Sequence, residues 1–219
     1  VDPCHRIQNG GTLPLITSCS PAWVKFCETW YPDQLDHLST AKSPQGMFGA
    51  IIKTYYAEKL GKKPQEIYSL SIMPCTAKKY EATRPELGRD GYQDIDCVIT
   101  VQELARMIRE ANIDFGRLPE GEFDLPFGLG SGAGIIFGAT GGVMEAALRT
   151  AAEVIEGKPL EKLDFEDVRG TEGIKFAAYK LGDMELKVAV ASGTANANKL
   201  LRGVQDGTYD VQFIEIMGC

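Results

Sequence analysis

Ile67–Glu81 reads IYSLSIMPCTAKKYE, and the fold turns on how this stretch is parsed. The apolar run from Ile67 to Met73 has the character of a strand. Pro74 ends it, because proline has no N–H to give a sheet ladder. Cys75 is thereby thrown beyond the strand's carboxyl end, which in open α/β sheets is where ligand sites gather. Lys78 and Glu81 follow three and six residues later.

Two other segments are built the same way. Leu13–Cys19 (LPLITSC) and Val211–Cys219 (VQFIEIMGC) are apolar runs that finish on a cysteine. Three strand-end thiols converging on one sheet edge would make a metal or cluster site, because thiolate is the soft donor that iron–sulfur centres require. The other half-core cysteines, Cys27 in a helical pattern and Cys97 inside IDCVIT, lack that placement and read as small buried hydrophobes. Cys4 and His5 stand side by side in a turn-rich start and make only a weak metal signal.

The totals frame these motifs. The 219 residues carry a net charge of −7 and an apolar content of 44%, which suits one large domain or two lobes around a real core. An acidic chain with no basic cluster argues against a nucleic-acid binder. No apolar run approaches the roughly eighteen residues needed to span a bilayer, and the start carries no secretory signal. Six scattered cysteines are too sparse for a disulfide scaffold and suit a reducing compartment.

Along the chain, residues 1–12 are irregular and look like a cut end. Ser20 and Pro21 open a helix carrying Trp23, Phe26, Cys27 and Trp30 at helical spacing, with both tryptophans expected in the core; Pro32 stops it. A second helix spans about Pro44–Leu60. Glu81–Tyr92 reads as a surface loop, Ile95–Thr100 as a strand, and Val101–Glu110 as an amphipathic helix with Leu104, Met107 and Ile108 inward. The glycine-dense Gly128–Gly142 contains a GxGxxG, but no strand precedes it, so close backbone approach is preferred to nucleotide binding. A helix runs from Gly142 to Gly157. Strands Ile174–Tyr179 and Glu185–Ala191 form a hairpin around the LGD turn, SGTANAN is a polar turn, Lys199–Val204 a helix, and Tyr209–Met217 the last strand. The strand–helix–strand alternation elsewhere predicts mainly parallel pairing in an α/β fold.

Taken together, TSCSPAW (Thr17–Trp23), LSTAKSPQ (Leu38–Gln45), MPCTAKKYE (Met73–Glu81), TGGVMEAALR (Thr140–Arg149) and FIEIMGC (Phe213–Cys219) resemble the active-site domain of FeFe hydrogenases, over residues 6–219 and in that family's order. The resemblance implies two α/β lobes, with twisted, mainly parallel sheets flanked by helices and a cluster in the cleft between them, residues 13–219 forming the catalytic domain. It implies a 4Fe–4S cubane joined to a diiron unit with carbon monoxide, cyanide and a dithiolate bridge, which reversibly reduces protons to dihydrogen. Cys75 and Cys219 match cubane ligands. Lys78 matches the lysine that faces a cyanide, Cys19 the proton-passing thiol, and Ser39 a hydroxyl further along that path. Pro44, Gln45, Met73 and Met217 match the pocket around the diiron unit. The implied partner is a ferredoxin-like electron donor or acceptor domain or subunit; the implied setting is a reducing, anaerobic cytoplasm, with the periplasm left open.

The sequence departs from the family in two places. Ser20, 55 residues before Cys75, occupies a ligand position where the family has cysteine, and a hard serine oxygen suits iron–sulfur chemistry poorly. The sequence also stops at Cys219, where the family continues to a further cysteine. The chain alone is therefore expected to be inactive or cluster-deficient and its copies to self-associate through an exposed cleft. The alternatives are a hydrogen-sensing or non-catalytic iron–sulfur protein on the same fold, or a cluster-free module with structural thiols or an opportunistic zinc.

Overall fold

A computed structural model describes residues 6, 9–89, 91–157, 173–181 and 184–218. In chain order the elements are β1 (Leu15–Thr17), α1 (Pro21–Trp30), α2 (Pro44–Ile51), β2 (Leu70–Met73), α3 (Ala77–Ala82), β3 (Gly88–Arg89), β4 (Tyr92–Gln93), β5 (Cys97–Thr100), α4 (Val101–Glu110), α5 (Gly132–Ile136), α6 (Gly142–Glu156), β6 (Ile174–Leu181), β7 (Met184–Ser192), α7 (Thr194–Gln205) and β8 (Phe213–Met217). The α2 helix runs on through a π-helical turn, Ile52–Tyr56, to Lys59. The chain divides into two compact units, Val1–Thr40 with Gly130–Gly218, and Ala41–Leu129.

The first unit is a four-stranded sheet in the order β1-β8-β7-β6. β1 and β7 both run parallel to β8, and β6 closes one edge antiparallel to β7. Both faces are covered, which is why β7 and β8 read as near-continuous apolar runs rather than an alternation. The period of two sorts them: Val188 and Val190 pack with Met144, Leu148 and Ala152 of α6, whereas Ala189 and Ala191 pack with Trp23 of α1 and Leu200 and Leu201 of α7. Ile16 of β1 also bridges in parallel to Leu38, and the Ser39 amide donates to the Ile16 carbonyl at 2.7 Å.

The second unit holds the parallel pair β2–β5, registered Leu70 to Cys97 and Met73 to Thr100, and the short β3–β4 hairpin. Thr100 starts α4 with a reciprocal cap: its hydroxyl accepts from the Glu103 amide at 3.1 Å, and the Glu103 carboxylate accepts from the Thr100 amide at 2.7 Å. Lys79 also donates to Glu103, and these hydrogen bonds pull that carboxyl down to about 2.

Several local expectations are corrected. Trp23 is fully buried, but Trp30, last in its helix, is 70% exposed. Met107 is exposed although its neighbours Leu104 and Ile108 are half-buried. Glu81–Tyr92 is not a plain surface loop: Glu81 is a buried helical residue, and β3 begins within the segment. SGTANAN is not a turn, because α7 starts at Thr194, directly after Gly193 at φ 81°. In the glycine-dense run, a Cβ on Gly142 would lie 1.8 Å from the Ile136 carbonyl oxygen, whereas one on Gly128, Gly130, Gly132, Gly134 or Gly138 would meet nothing within 4 Å. Cys4, His5, Gly182 and Asp183 of the LGD turn, and Cys219 lie outside the described residues.

Candidate functional site

The second unit carries the Pro74–Glu81 motif. β2 ends at Met73, and α3 starts two residues after Cys75, so a half-buried thiol sits between strand end and helix start. On α3, Lys78 is 5% and Glu81 7% exposed. The Lys78 ammonium donates to Glu81 Oε2 at 2.8 Å, and the Gln45 amide donates to the same oxygen at 3.2 Å. Gln45 accepts in turn from the Ser71 hydroxyl at 2.7 Å. Lys78 thus does not lie on a solvated helix face. Charges are buried only when paired and hydrogen-bonded, and the i, i+3 spacing of Lys78 and Glu81 lets one helix supply both partners. Pro44, the first residue of α2, is half-buried, and Met73 is also half-buried.

The first unit carries the TSC motif. Cys19 Sγ lies 3.5 Å from Met217 Sδ. Ser18 donates to the Ile216 carbonyl at 2.7 Å, and Ser20 Oγ accepts from the Gly218 amide at 2.9 Å. The loop after β1 thus grips the end of β8 at three consecutive residues. Ser20 is fully buried and precedes α1, yet its side chain caps nothing in that helix; its oxygen is engaged with Gly218 instead. Ser39 lies in the same unit and is half-buried.

None of the described cysteines Cys19, Cys27, Cys75 and Cys97 forms a disulfide. Burial pushes the Cys27 thiol up to about 11, with Glu28 adding to the effect. It stays protonated, as a core thiol should. Cys97 is only half-buried. Among the described residues no three His, Cys, Asp or Glu side chains gather as a metal-binding group. The donor chemistry fits an iron–sulfur group at Cys75, a soft strand-end thiol. It does not fit at Ser20, whose oxygen is hard and already engaged.

One group escaped the sequence reading altogether. Glu215, inside β8, is 1% exposed and accepts from the amides of Gly141 at 3.0 Å and Met144 at 2.5 Å. It caps α6 from a neighbouring strand, because Gly141 offers no side chain to do so. Burial pushes its carboxyl up to about 7, against the downward pull of those two amides. A charged residue in an otherwise apolar strand was the available signal.

The fold is thus an α/β protein with parallel-rich open sheets, carrying a buried Lys–Glu pair beside a strand-end thiol and a sulfur pair at a second strand end. The family description "Iron only hydrogenase large subunit, C-terminal domain" matches residues 2–219, and the chain belongs to that family. It is 54% identical over 208 residues to the NADP-reducing hydrogenase subunit HndD of Solidesulfovibrio fructosivorans, covering 94% of this chain and 35% of that protein. It is 47% identical over 215 residues to iron hydrogenase 1 of Clostridium pasteurianum, covering 98% of this chain and 38% of that protein. The solved structure of HydA(deltaEFG), described for stepwise [FeFe]-hydrogenase H-cluster assembly, superposes with a TM-score of 0.82 at 40% identity, covering 100% of this chain and 63% of that one. At lower identity, 30% over 216 residues, the chain matches cytosolic iron-sulfur assembly component 3 of Mus musculus, covering 94% of this chain and 45% of that protein. The chain thus spans well under half the length of the first two relatives.

Proposed function

We propose that this chain is part of the catalytic domain of an FeFe hydrogenase, and that its parent protein interconverts protons and dihydrogen. When bound, a cubane with a carbonyl- and cyanide-bearing diiron unit supplies the redox chemistry. Cys75 and Cys219 provide thiolates to the cubane. Lys78 holds a positive charge in a dry setting, where a charge-assisted bond to an anionic ligand is strong. Glu81 and Gln45 fix its position, and Met73 and Pro44 contribute apolar wall. Cys19, beside Met217, moves a proton at its sulfur, and Ser39 accepts or delivers that proton further out. The electron partner is a ferredoxin-like domain or subunit. We place the parent in a reducing cytoplasm; one relative is named a periplasmic hydrogenase, and no helix among the described residues is long and apolar enough to cross a membrane.

The observation that carries this reading is the buried Lys78–Glu81 pair three residues past Cys75. The pair holds a fixed ammonium close to the strand-end thiol, where a charge-assisted bond to an anionic group is strong. Reconstitution with iron and sulfide, then maturation with infrared detection of bound carbon monoxide and cyanide, tests it. Absence of those bands from the matured parent protein defeats the hydrogenase reading.

A second reading is a non-catalytic iron–sulfur protein of the same fold, including a hydrogen sensor. Ser20 at a ligand position favours it, as does the match to iron–sulfur assembly proteins. The higher identity to named hydrogenases favours the first. A gas assay with a reduced viologen donor, run on the matured parent, separates the two.

A further inference from the structure

Between α2, α3 and β4, within the second unit, lies a small cavity of about 10 Å³ lined by Gln45, Glu81, Gln93 and Asp94 among others. That is close to the roughly 10–15 Å³ at which a cavity accepts one water molecule. Two lining residues carry buried acceptors with no hydrogen-bond donor among the described residues, Gln93 Oε1 and Asp94 Oδ1. Arg89 Nε stands 3.8 Å from the second, which is an ionic contact and not a hydrogen bond. A buried acceptor left without a donor keeps its full desolvation penalty.

We propose that this cavity holds one ordered water, which donates to Gln93 and Asp94 and joins the Lys78–Glu81 pair to the Lys42–Asp94 pair in one polar network. Water suits the site better than a metal cation on charge. Glu81 is neutralised by Lys78, and Asp94 by Lys42 through its other oxygen. The cavity wall is thus acceptor-rich but carries no net charge to offset a bare cation. A water also uses the wall fully: it has two protons for the two orphaned oxygens, and a lone pair for the second amide proton of Gln45, whose first goes to Glu81. The network then runs from buried Lys78 through Glu81, Gln45, the water and Asp94 to the partly exposed Lys42. The inference needs no iron and is independent of the hydrogenase reading.

A crystal structure of the 219-residue chain, at a resolution that orders internal waters, is the first test. A single peak within hydrogen-bond distance of both Gln93 Oε1 and Asp94 Oδ1 is expected. An empty cavity, or a peak with the shorter distances and higher coordination of a sodium ion, overturns the proposal. Oxygen-17 magnetic relaxation dispersion is the second test: Gln93→Leu, which removes one acceptor and fills space, lowers the number of long-lived internal waters by one. An unchanged number in the folded variant overturns it equally.

Discussion

Lys78 donates to Glu81 across 2.8 Å from three residues away on the same short helix, and both side chains are shut away from water. This buried pair is a costly arrangement that stability alone does not explain. A buried pair is weak evidence of stabilisation, whereas breaking it by removing one member strands the other charge.

Glu81→Ala is therefore expected to destabilise the chain by about 3–5 kcal/mol. Glu81→Gln, which still offers an oxygen to the ammonium, costs less. Urea unfolding of the two variants checks the order. Equal midpoints would show that an oxygen offered to the ammonium is immaterial.

Glu215 predicts a pH dependence. Its folded-state value of about 7 stands above the ordinary 4.5. The folded state therefore holds a proton that the unfolded state releases between those values. The stability this residue contributes is complete below about pH 4.5 and disappears as pH rises through 7, a swing on the order of 3 kcal/mol. Glu215→Gln should flatten that decline, measured as unfolding free energy from pH 4 to 8. A wild-type curve that rises across this window would contradict the assignment.

Gly142→Ala places a methyl group 1.8 Å from the Ile136 carbonyl oxygen, whereas a Cβ on Gly138 meets nothing within 4 Å. The first substitution should cost several kcal/mol and the second stay within about 0.5 kcal/mol. Thermal unfolding of the pair tests whether the glycine-dense run is tight at that one position.

Much of this fold was legible because its signals are local. Pro74 after an apolar run fixed the end of β2, Pro21 opened α1, and the capping sequence around Thr100 set α4. Helix boundaries without such punctuation were lost: the Ala and Asn residues of SGTANAN carry no strong stop, and the packing of Ala197, Leu200 and Leu201 against β7 extends α7 back to Thr194. Long-range contacts were invisible for a deeper reason. Nothing near Gly141 announces that its missing cap comes from Glu215, 74 residues away, and nothing near Ser20 announces that its hydroxyl is taken by Gly218. Lys78 and Glu81 could be named from their motif, but only burial reveals that they form a dry pair.

Ser20→Ala leaves the Gly218 amide without its acceptor, and a loss of about 1–3 kcal/mol follows. Ser20→Cys restores a soft donor and should raise the iron bound after reconstitution. No gain in iron would mean that this position is not a ligand site in this chain.

The most direct test of the account is the iron and acid-labile sulfide content of the purified parent protein after anaerobic reconstitution, compared with its Cys75→Ala variant. The account predicts iron and sulfide in near-equal amounts in the parent, with a cubane signal by EPR on reduction, and about four fewer of each per molecule in the variant. Equal iron and sulfide in the two proteins, or none in either, would contradict it.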